Sequence, residues 1–148
     1  MGISEKGSGI RDQRTGTGIR IMTTHRDLEA YKQAIDLSVE IYNIVSLFPK
    51  FETYGLADQM RRAAVSVPSN IAEGAGRQTI KEYIQFLYIA SGSLSELEAQ
   101  VTIAHRLSYI EDYNTILLKI ISIKKLVHGL IKHQRTKLSS NGFQIPTH

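Results

Sequence analysis

The sequence contains no cysteine among its 148 residues. Without thiols, a disulfide framework, a thiolate metal site and a cysteine nucleophile are all excluded, and the composition suits a reducing compartment. Long apolar runs are also missing, because charged residues interrupt every hydrophobic stretch before the roughly 18 to 20 residues that cross a bilayer. The N-terminal residues lack the apolar core of a secretory signal. We therefore expect a cytoplasmic protein with no membrane partner.

Residue patterns that serve catalysis or metal binding are equally scarce. None of the five histidines follows a glutamate by three residues or forms a pair four residues apart, so the helical di-iron and zinc patterns are absent. The glycines of Gly74-Ala75-Gly76 are not followed by the Gly-Lys-Ser/Thr of a phosphate loop. Ser91 and Ser93 have no base near them in sequence. The chain is predicted to be no enzyme and to use neither metal nor cofactor.

Positive charge is unevenly distributed along the chain. The net charge of +4 and the pI of about 9.4 would favour an anionic partner. Residues 25–131, however, hold 11 basic and 12 acidic residues. The basic excess therefore lies in the two ends of the sequence, and binding of phosphate groups by the central part would require a local basic patch.

The chain is predicted to form one domain between two flexible ends, since 148 residues suffice for one hydrophobic core. Residues 1–23 are rich in Gly, Ser, Thr and charge without periodicity, which indicates a disordered extension, and Met22 is an alternative start. Residues 24–135 form the predicted four-helix domain. Residues 136–148 contain Ser-Ser, Asn-Gly and Pro turn signals, which indicate a flexible C-terminal tail.

Apolar residues recur at helical spacing in four segments, 24–47, 56–73, 79–107 and 111–135. Thr24 and Asp27 form a capping-box pattern at the start of the first segment. Strand patterns do not compete with these helices. Long amphipathic helices with short connections predict an all-α, antiparallel, up-down-up-down four-helix bundle.

The first helix carries two adjacent apolar stripes. One consists of Leu28, Tyr31, Ile35, Tyr42 and Val45, and the other of Ala34, Leu37, Ile41, Ile44 and Phe48. Together they cover roughly 200° of the circumference, about twice the arc that a lone bundle buries. Either the tyrosines are half-exposed with their hydroxyls in water, or the second stripe meets another subunit. We favour the subunit contact, and hence an oligomer, because monomers rarely expose so much contiguous apolar area.

The second and third helices contain residues with backbone roles. Pro68 is predicted to bend the second helix, since it lacks an N–H, and Ser66 or Asn70 is expected to compensate the freed backbone group. The segment Gly74-Ala75-Gly76 is predicted to end that helix with a left-handed glycine. In the third helix, Ala90-Ser91-Gly92-Ser93 is predicted to allow close approach of a neighbouring helix. We interpret five residues as a structural motif and not an active site: Ser66, Pro68, Asn70, Glu73 and Gly74.

A specific string, Arg-Ala-Ala-x-Ser-x-Pro-x-Asn-Ile-Ala-Glu-Gly, spans residues 62–74. Together with YIQFLYIA at 83–90 and SLSELE at 93–98, it resembles the 23S rRNA intervening-sequence protein family over about residues 25–131. The resemblance implies a bundle that assembles into a barrel-like homopentamer with no established enzymatic activity. A related branch, the accessory variability determinants of diversity-generating retroelements, comprises basic pentamers that bind nucleic acid and a reverse transcriptase. This chain departs from that branch in the near-neutral charge of its central part.

Six basic residues are candidates for nucleic-acid binding: Arg61, Arg62, Arg77, Lys81, Lys124 and Lys125. Symmetry in an oligomer would multiply a modest patch into a strong one. The alternative is a solvated helix face with small ion pairs. Two functions therefore stay open. One is an adaptor for RNA, DNA or a nucleic-acid-handling protein, and the other is a protein-interaction scaffold with no nucleic-acid binding.

Overall fold

The computed structural model describes the backbone of residues 25–142 and the side chains of residues 25–140. It contains α1 (His25–Val45), a short 3₁₀ helix (Lys50–Glu52), α2 (Leu56–Ala75), α3 (Ile80–Arg106) and α4 (Tyr113–Gly142). The described residues include no strand, so the predicted all-α class with four helices is confirmed. The predicted disordered extension, the Thr24 cap and residues 143–148 lie outside the described part.

The four helices share one hydrophobic core. Helix α2 packs against α1 and α3, and α4 packs against α3 and α1, whereas no Cα atoms of the diagonal pairs α1–α3 and α2–α4 approach within 8 Å among the described residues. Each helix contributes fully buried side chains, among them Leu37 and Ile41 of α1, Met60 of α2, Leu94 of α3 and Ile120 of α4. This packing is consistent with a helix bundle.

Helix boundaries follow local signals in the sequence. Helix α3 starts after Thr79, whose hydroxyl accepts the Glu82 N–H at 3.1 Å as an N-cap. Helix α4 continues to Gly142, past the predicted end at Arg135, because Leu138 still packs against the core. The described part of the predicted C-terminal tail is therefore helical. Asn141-Gly142, a turn signal, lies at the end of the helix.

Helix α2 runs through Pro68 without interruption to Ala75. Proline cannot donate to the carbonyl four residues earlier, which leaves the Ala64 oxygen without its helical partner. The Ser38 hydroxyl of α1 lies 3.0 Å from that oxygen and 3.0 Å from the Ala34 carbonyl of its own helix, so its single hydrogen is shared between the two carbonyls. The prediction that Ser66 or Asn70 compensates is therefore wrong, because the donor comes from the neighbouring helix.

Ser66 and Asn70 instead connect α2 to α3. Asn70 Nδ2 donates to the Ser66 carbonyl at 2.7 Å and to the Ser66 hydroxyl at 2.9 Å. The Ser66 hydroxyl lies 2.7 Å from the hydroxyl of Ser93 on α3. This chain of hydrogen bonds satisfies polar groups at a part-buried helix contact.

The C-terminus of α2 corrects one prediction. Gly76 caps the helix with φ −86° and ψ −3°, a right-handed conformation, so the left-handed glycine cap is wrong. Its N–H continues the right-handed turn by donating to the Ala72 and Glu73 carbonyls. Gly74 is needed for packing, since a Cβ there would lie 2.7 Å from Phe86 Cβ and 2.8 Å from Tyr83 Cδ1.

The small-residue cluster of α3 agrees with expectation at three of its four positions, Ala90, Ser91 and Ser93. Ser91 and Ser93 are buried and form contacts with other helices. A Cβ added at Gly92, by contrast, would meet no atom within 4 Å. The cluster therefore allows the expected close contacts through Ser91 and Ser93, whereas Gly92 lies on the outer face of α3 and meets no neighbour among the described residues.

The two stripes of α1 have different environments. Ala34, Leu37 and Ile41 are buried, whereas Leu28, Ile35 and Tyr42 are between 38% and 49% exposed. Tyr31 and Val45, at the edges of the exposed stripe, pack against the core, and Val39 adds to the exposed surface at 57%. One stripe thus forms the core, and most of the other is free within a single chain.

Candidate functional site

The three candidate arginines each lie beside a carboxylate. On α2, Arg61 Nη2 is 3.6 Å from Asp58 Oδ1, and Arg62 Nε donates to Asp58 Oδ2 at 3.0 Å. Beyond the end of α2, Arg77 Nη2 donates to Glu73 Oε2 at 2.9 Å. These pairs offset positive charge where phosphate binding was predicted.

Two of these arginines also hold local structure. Arg61 Nη2 donates to the Thr53 carbonyl at 2.9 Å, and its guanidinium carbon lies 6.0 Å from the centre of the Tyr42 ring. The Arg77 guanidinium carbon lies 4.7 Å from the centre of the Phe86 ring. Both side chains are therefore engaged in contacts that connect neighbouring elements.

The six candidates do not form one patch within the chain. Arg61 lies in the second turn of α2 and Arg77 beyond its end, about 24 Å away along the axis. Lys124 of α4 contacts Glu98 of α3 at 3.3 Å. Lys81 and Lys125 are exposed and have no carboxylate contact among the described residues.

Charge is strongly segregated between α4 and the rest of the bundle. Helix α4 contains six lysines and arginines and no aspartate or glutamate, whereas residues 25–112 contain eight basic and twelve acidic residues. The contrast is hidden when the residues from 132 onward are assigned to the tail, because Lys132, Arg135 and Lys137 belong to α4. The signal was present as a long stretch free of acidic residues.

One face of α4 carries cations without carboxylate partners. Lys125, Lys132 and Arg135 recur at spacings of seven and three, so they lie on the same side of the helix. All three are exposed, and within residues 25–140 no acidic side chain forms an ion pair with any of them. We call these three residues the α4 cationic face.

A groove between α3 and α4 borders this face. Tyr88, His128, Ile131, Lys132 and Arg135 line it, and its volume is about 420 Å³. None of the lining residues that the structure describes is acidic. The Arg135 guanidinium carbon lies 5.4 Å from the centre of the Tyr88 ring, and the guanidinium also donates to the Tyr88 hydroxyl. We call this feature the α3–α4 groove.

A serine and a histidine that are distant in sequence meet at the same place. Ser91 Oγ lies 2.7 Å from His128 Nε2. Within the described chain, no carboxylate contacts His128 to orient it as a catalytic base. Ser91 is inside α3, where backbone N–H groups are bonded within the helix and cannot form an oxyanion hole. The pair therefore serves to connect the two helices.

Ionisable side chains also cluster outside the α3–α4 groove. Residues 25–140 contain no group of three or more His, Asp or Glu side chains arranged to hold a metal ion. A pocket of about 220 Å³ between α1 and α4 is lined by Asp36, Glu40 and Lys119, and Lys119 Nζ bonds Glu40 Oε2 at 2.6 Å.

Among the described helices, none combines the length and apolarity that a membrane crossing needs.

Fold and surface together define an all-α, four-helix protein with one strongly cationic helix. The chain belongs to the 23S rRNA-intervening sequence protein family, whose sequence pattern matches residues 26–129. The family resemblance of the motif at residues 62–74 is thereby confirmed.

A solved structure supports the same assignment. It is a protein of unknown function from the S23 ribosomal protein family of Bacteroides thetaiotaomicron. The two chains are 25% identical with a TM-score of 0.67, and the match covers 72% of this chain and 98% of that one. No curated protein matches the sequence.

Proposed function

We propose that this protein is a non-catalytic, oligomeric four-helix bundle of the cytoplasm that binds nucleic acid as an adaptor. The observation that carries the proposal is the charge of α4, which has six lysines and arginines and no acidic residue. Only Lys119 and Lys124 of the six form ion pairs with carboxylates among the described residues. A helix with so many uncompensated cations fits a polyanionic partner, because neutralised phosphates release counterions.

The proposal includes an antiparallel, up-down-up-down arrangement of the helices. Between α1 and α2, Ser38 contacts Ala64 and Tyr42 contacts Arg61, so the residue numbers run in opposite directions. Between α3 and α4, Ser91 contacts His128 and Tyr88 contacts Arg135 in the same manner. Both sets of contacts support antiparallel neighbours.

A homopentamer is the assembly we propose, with its number taken from the family. A closed ring requires two different faces that fit one another. The exposed stripe Leu28, Ile35, Val39 and Tyr42 on α1 supplies one apolar face. Ile89, Gly92, Ala99 and Ile103 are exposed along α3 at spacings of three, seven and four, and they supply a second face on a different side of the bundle.

A protein-interaction scaffold is the second candidate, and one observation favours it. Leu47, Phe51 and Tyr54, in the connection between α1 and α2, are 83%, 77% and 92% exposed. Large apolar side chains at such exposure are typical of contacts with another protein. The two functions differ in whether the chain binds nucleic acid at all.

Titration of labelled RNA and DNA at two ionic strengths tests the proposal. Binding should weaken steeply with salt, since the slope reports the number of phosphate contacts. A variant with Arg61, Arg62 and Arg77 changed to alanine tests the candidates that the sequence suggests. A chain ending at residue 142 tests the terminal residues without removing the part of α4 that packs on the core. Failure of the full chain to bind even at low salt would leave the scaffold.

A further inference from the structure

We infer that the α3–α4 groove is a binding site for single-stranded nucleic acid, in which the α4 cationic face contacts phosphates and Tyr88 stacks with a base. The inference rests on the proposed function and assigns its site. It differs from the arginine set suggested by the sequence, because those arginines already contact Asp58 and Glu73.

The cations of this site lie along a line that suits a polynucleotide backbone. Lys125, Lys132 and Arg135 span ten residues of α4, about 15 Å along the helix axis. Lys132 and Arg135 are three residues apart, and like charges at that spacing repel one another unless a counter-charge lies between them. The described residues supply no such carboxylate here, so an external polyanion is the partner that would relieve the repulsion.

Tyr88 gives the groove a stacking surface. Its side chain is 45% exposed, although the Arg135 guanidinium lies 5.4 Å from the ring centre. Nucleobases stack both on aromatic rings and on guanidinium planes, and such stacking tolerates any base. A duplex hides the faces of its bases, whereas a single strand exposes them. The pairing of an aromatic ring with free cations therefore favours a single strand.

Gly92 leaves room beside Tyr88. It lies one helical turn further along α3, is exposed, and would meet no atom within 4 Å if it carried a Cβ. Within a helix, glycine costs roughly 1 kcal/mol relative to alanine, and no contact among the described residues requires it here. The exposed backbone at Gly92 is open to either of two neighbours, a ligand in the groove or a second copy on the proposed α3 face.

Fluorescence anisotropy of a mixed-sequence single-stranded RNA, with the duplex of the same sequence as comparison, tests the site in the full chain. K132Q/R135Q removes two cations of the groove. K125Q/K132Q also removes two but keeps the contact between Arg135 and Tyr88. Y88L removes the stacking ring. Y54L and K50Q/R106Q, which removes two exposed cations away from the groove, are the matched controls. Circular dichroism with light scattering verifies fold and mass for each variant.

Either double substitution on α4 should lower the affinity for the single strand about ten-fold or more at low salt. It should also reduce the slope of log affinity against log salt by roughly 1.4, because each lost phosphate contact contributes about 0.7. Y88L should lower the affinity for the single strand about ten-fold while leaving duplex binding unchanged. Both controls should bind as the unchanged protein does.

Three results would overturn the inference, and they are distinguishable. If the unchanged protein binds but the α4 variants bind equally well, the site is wrong while the proposed function stands. If the α4 variants lose binding but Y88L does not, or if the duplex binds as tightly, the assignment to a single strand is wrong. If the unchanged protein does not bind at low salt, the proposed function fails together with the inference.

Discussion

The hydroxyl of Ser38 on α1 donates to the carbonyl of Ala64 on α2 at 3.0 Å. That carbonyl would ordinarily accept the N–H of the residue at position 68, which proline lacks. The same hydroxyl also lies 3.0 Å from the Ala34 carbonyl of α1, so its single hydrogen is shared and the Ala64 carbonyl is compensated in part. The contact brings a donor to the buried proline of α2 and connects α1 to α2 at this position.

Replacement of Ser38 by alanine should destabilise the fold by about 1–2 kcal/mol, because the Ala64 carbonyl is left buried without a donor. Chemical denaturation measures the change. In a Pro68→Ala background the backbone N–H is restored, so the same replacement should cost less than about 0.5 kcal/mol. Ser46→Ala, which removes an exposed hydroxyl, is the control. Equal costs of Ser38→Ala in the two backgrounds would show that the hydroxyl does not serve the proline.

Gly74→Ala should destabilise the protein by about 1–3 kcal/mol through overpacking against α3. The new methyl group would lie 2.7 Å from Phe86 Cβ and 2.8 Å from Tyr83 Cδ1, and neither atom is the far end of a flexible side chain. Gly129→Ala is the matched control, since an added Cβ there meets nothing within 4 Å. Gly129→Ala should raise the free energy of unfolding by up to about 1 kcal/mol, because alanine favours a helix more than glycine does. Thermal unfolding that ranks the two variants in the reverse order would contradict this explanation.

Tyr109 should titrate above its ordinary pKa. Burial is the main cause that raises the pKa of its hydroxyl, followed by the hydrogen bond that the hydroxyl donates to Glu52 Oε2 at 3.0 Å and by the negative charge of that carboxylate. Since the folded-state pKa lies above the unfolded one, this group stabilises the fold below about pH 10, and the contribution is lost as pH rises through the folded value.

Carbon-13 NMR of Cζ-labelled tyrosine measures that pKa directly, with Tyr109→Phe to assign the signal. Glu52→Gln removes the negative charge, so the pKa should fall part of the way back. Glu52 Oε1 also accepts the Leu56 N–H at 3.0 Å at the start of α2. Glu52→Ala should therefore lower the stability as well, by about 1 kcal/mol. An unchanged Tyr109 signal in Glu52→Gln would show that the carboxylate does not influence this phenol.

Val39→Asp should dissociate the proposed oligomer, because it places a charge in the exposed apolar stripe of α1. Size exclusion with light scattering should give about five times 16.6 kDa for the unchanged chain and a smaller mass for the variant. Leu118→Asp, at a position of α4 that is 64% exposed and outside both proposed faces, should keep the full mass. A unit mass of 16.6 kDa for the unchanged protein at micromolar concentration would refute assembly, and a dimer would refute only the pentamer.

The local residue pattern was sufficient for much of the fold. Helical periodicity predicted four helices without a strand. Helix α3 starts directly after Thr79, whose hydroxyl caps the helix by accepting a backbone N–H. These features depend on contacts between residues close in sequence, such as the 3.1 Å bond from Glu82 to Thr79. The end of α4 was set too early because Ser139-Ser140 resembles a turn, while Leu138 retains the core contact.

The sequence by itself determined the all-α class, the family and the presence of two apolar stripes on α1, because each follows from residue type and spacing along one chain. Only the tertiary structure decided which groups meet across helices. It brought the Ser38 hydroxyl to Ala64, the His128 ring to Ser91 and the Arg135 guanidinium to Tyr88. It also paired Lys124 with Glu98 while leaving Lys132 without a carboxylate partner among the described residues. The physical reason is that hydrogen bonds and ion pairs act over a few ångströms, and the distance between side chains on different helices is set by packing, which spacing along the sequence does not contain.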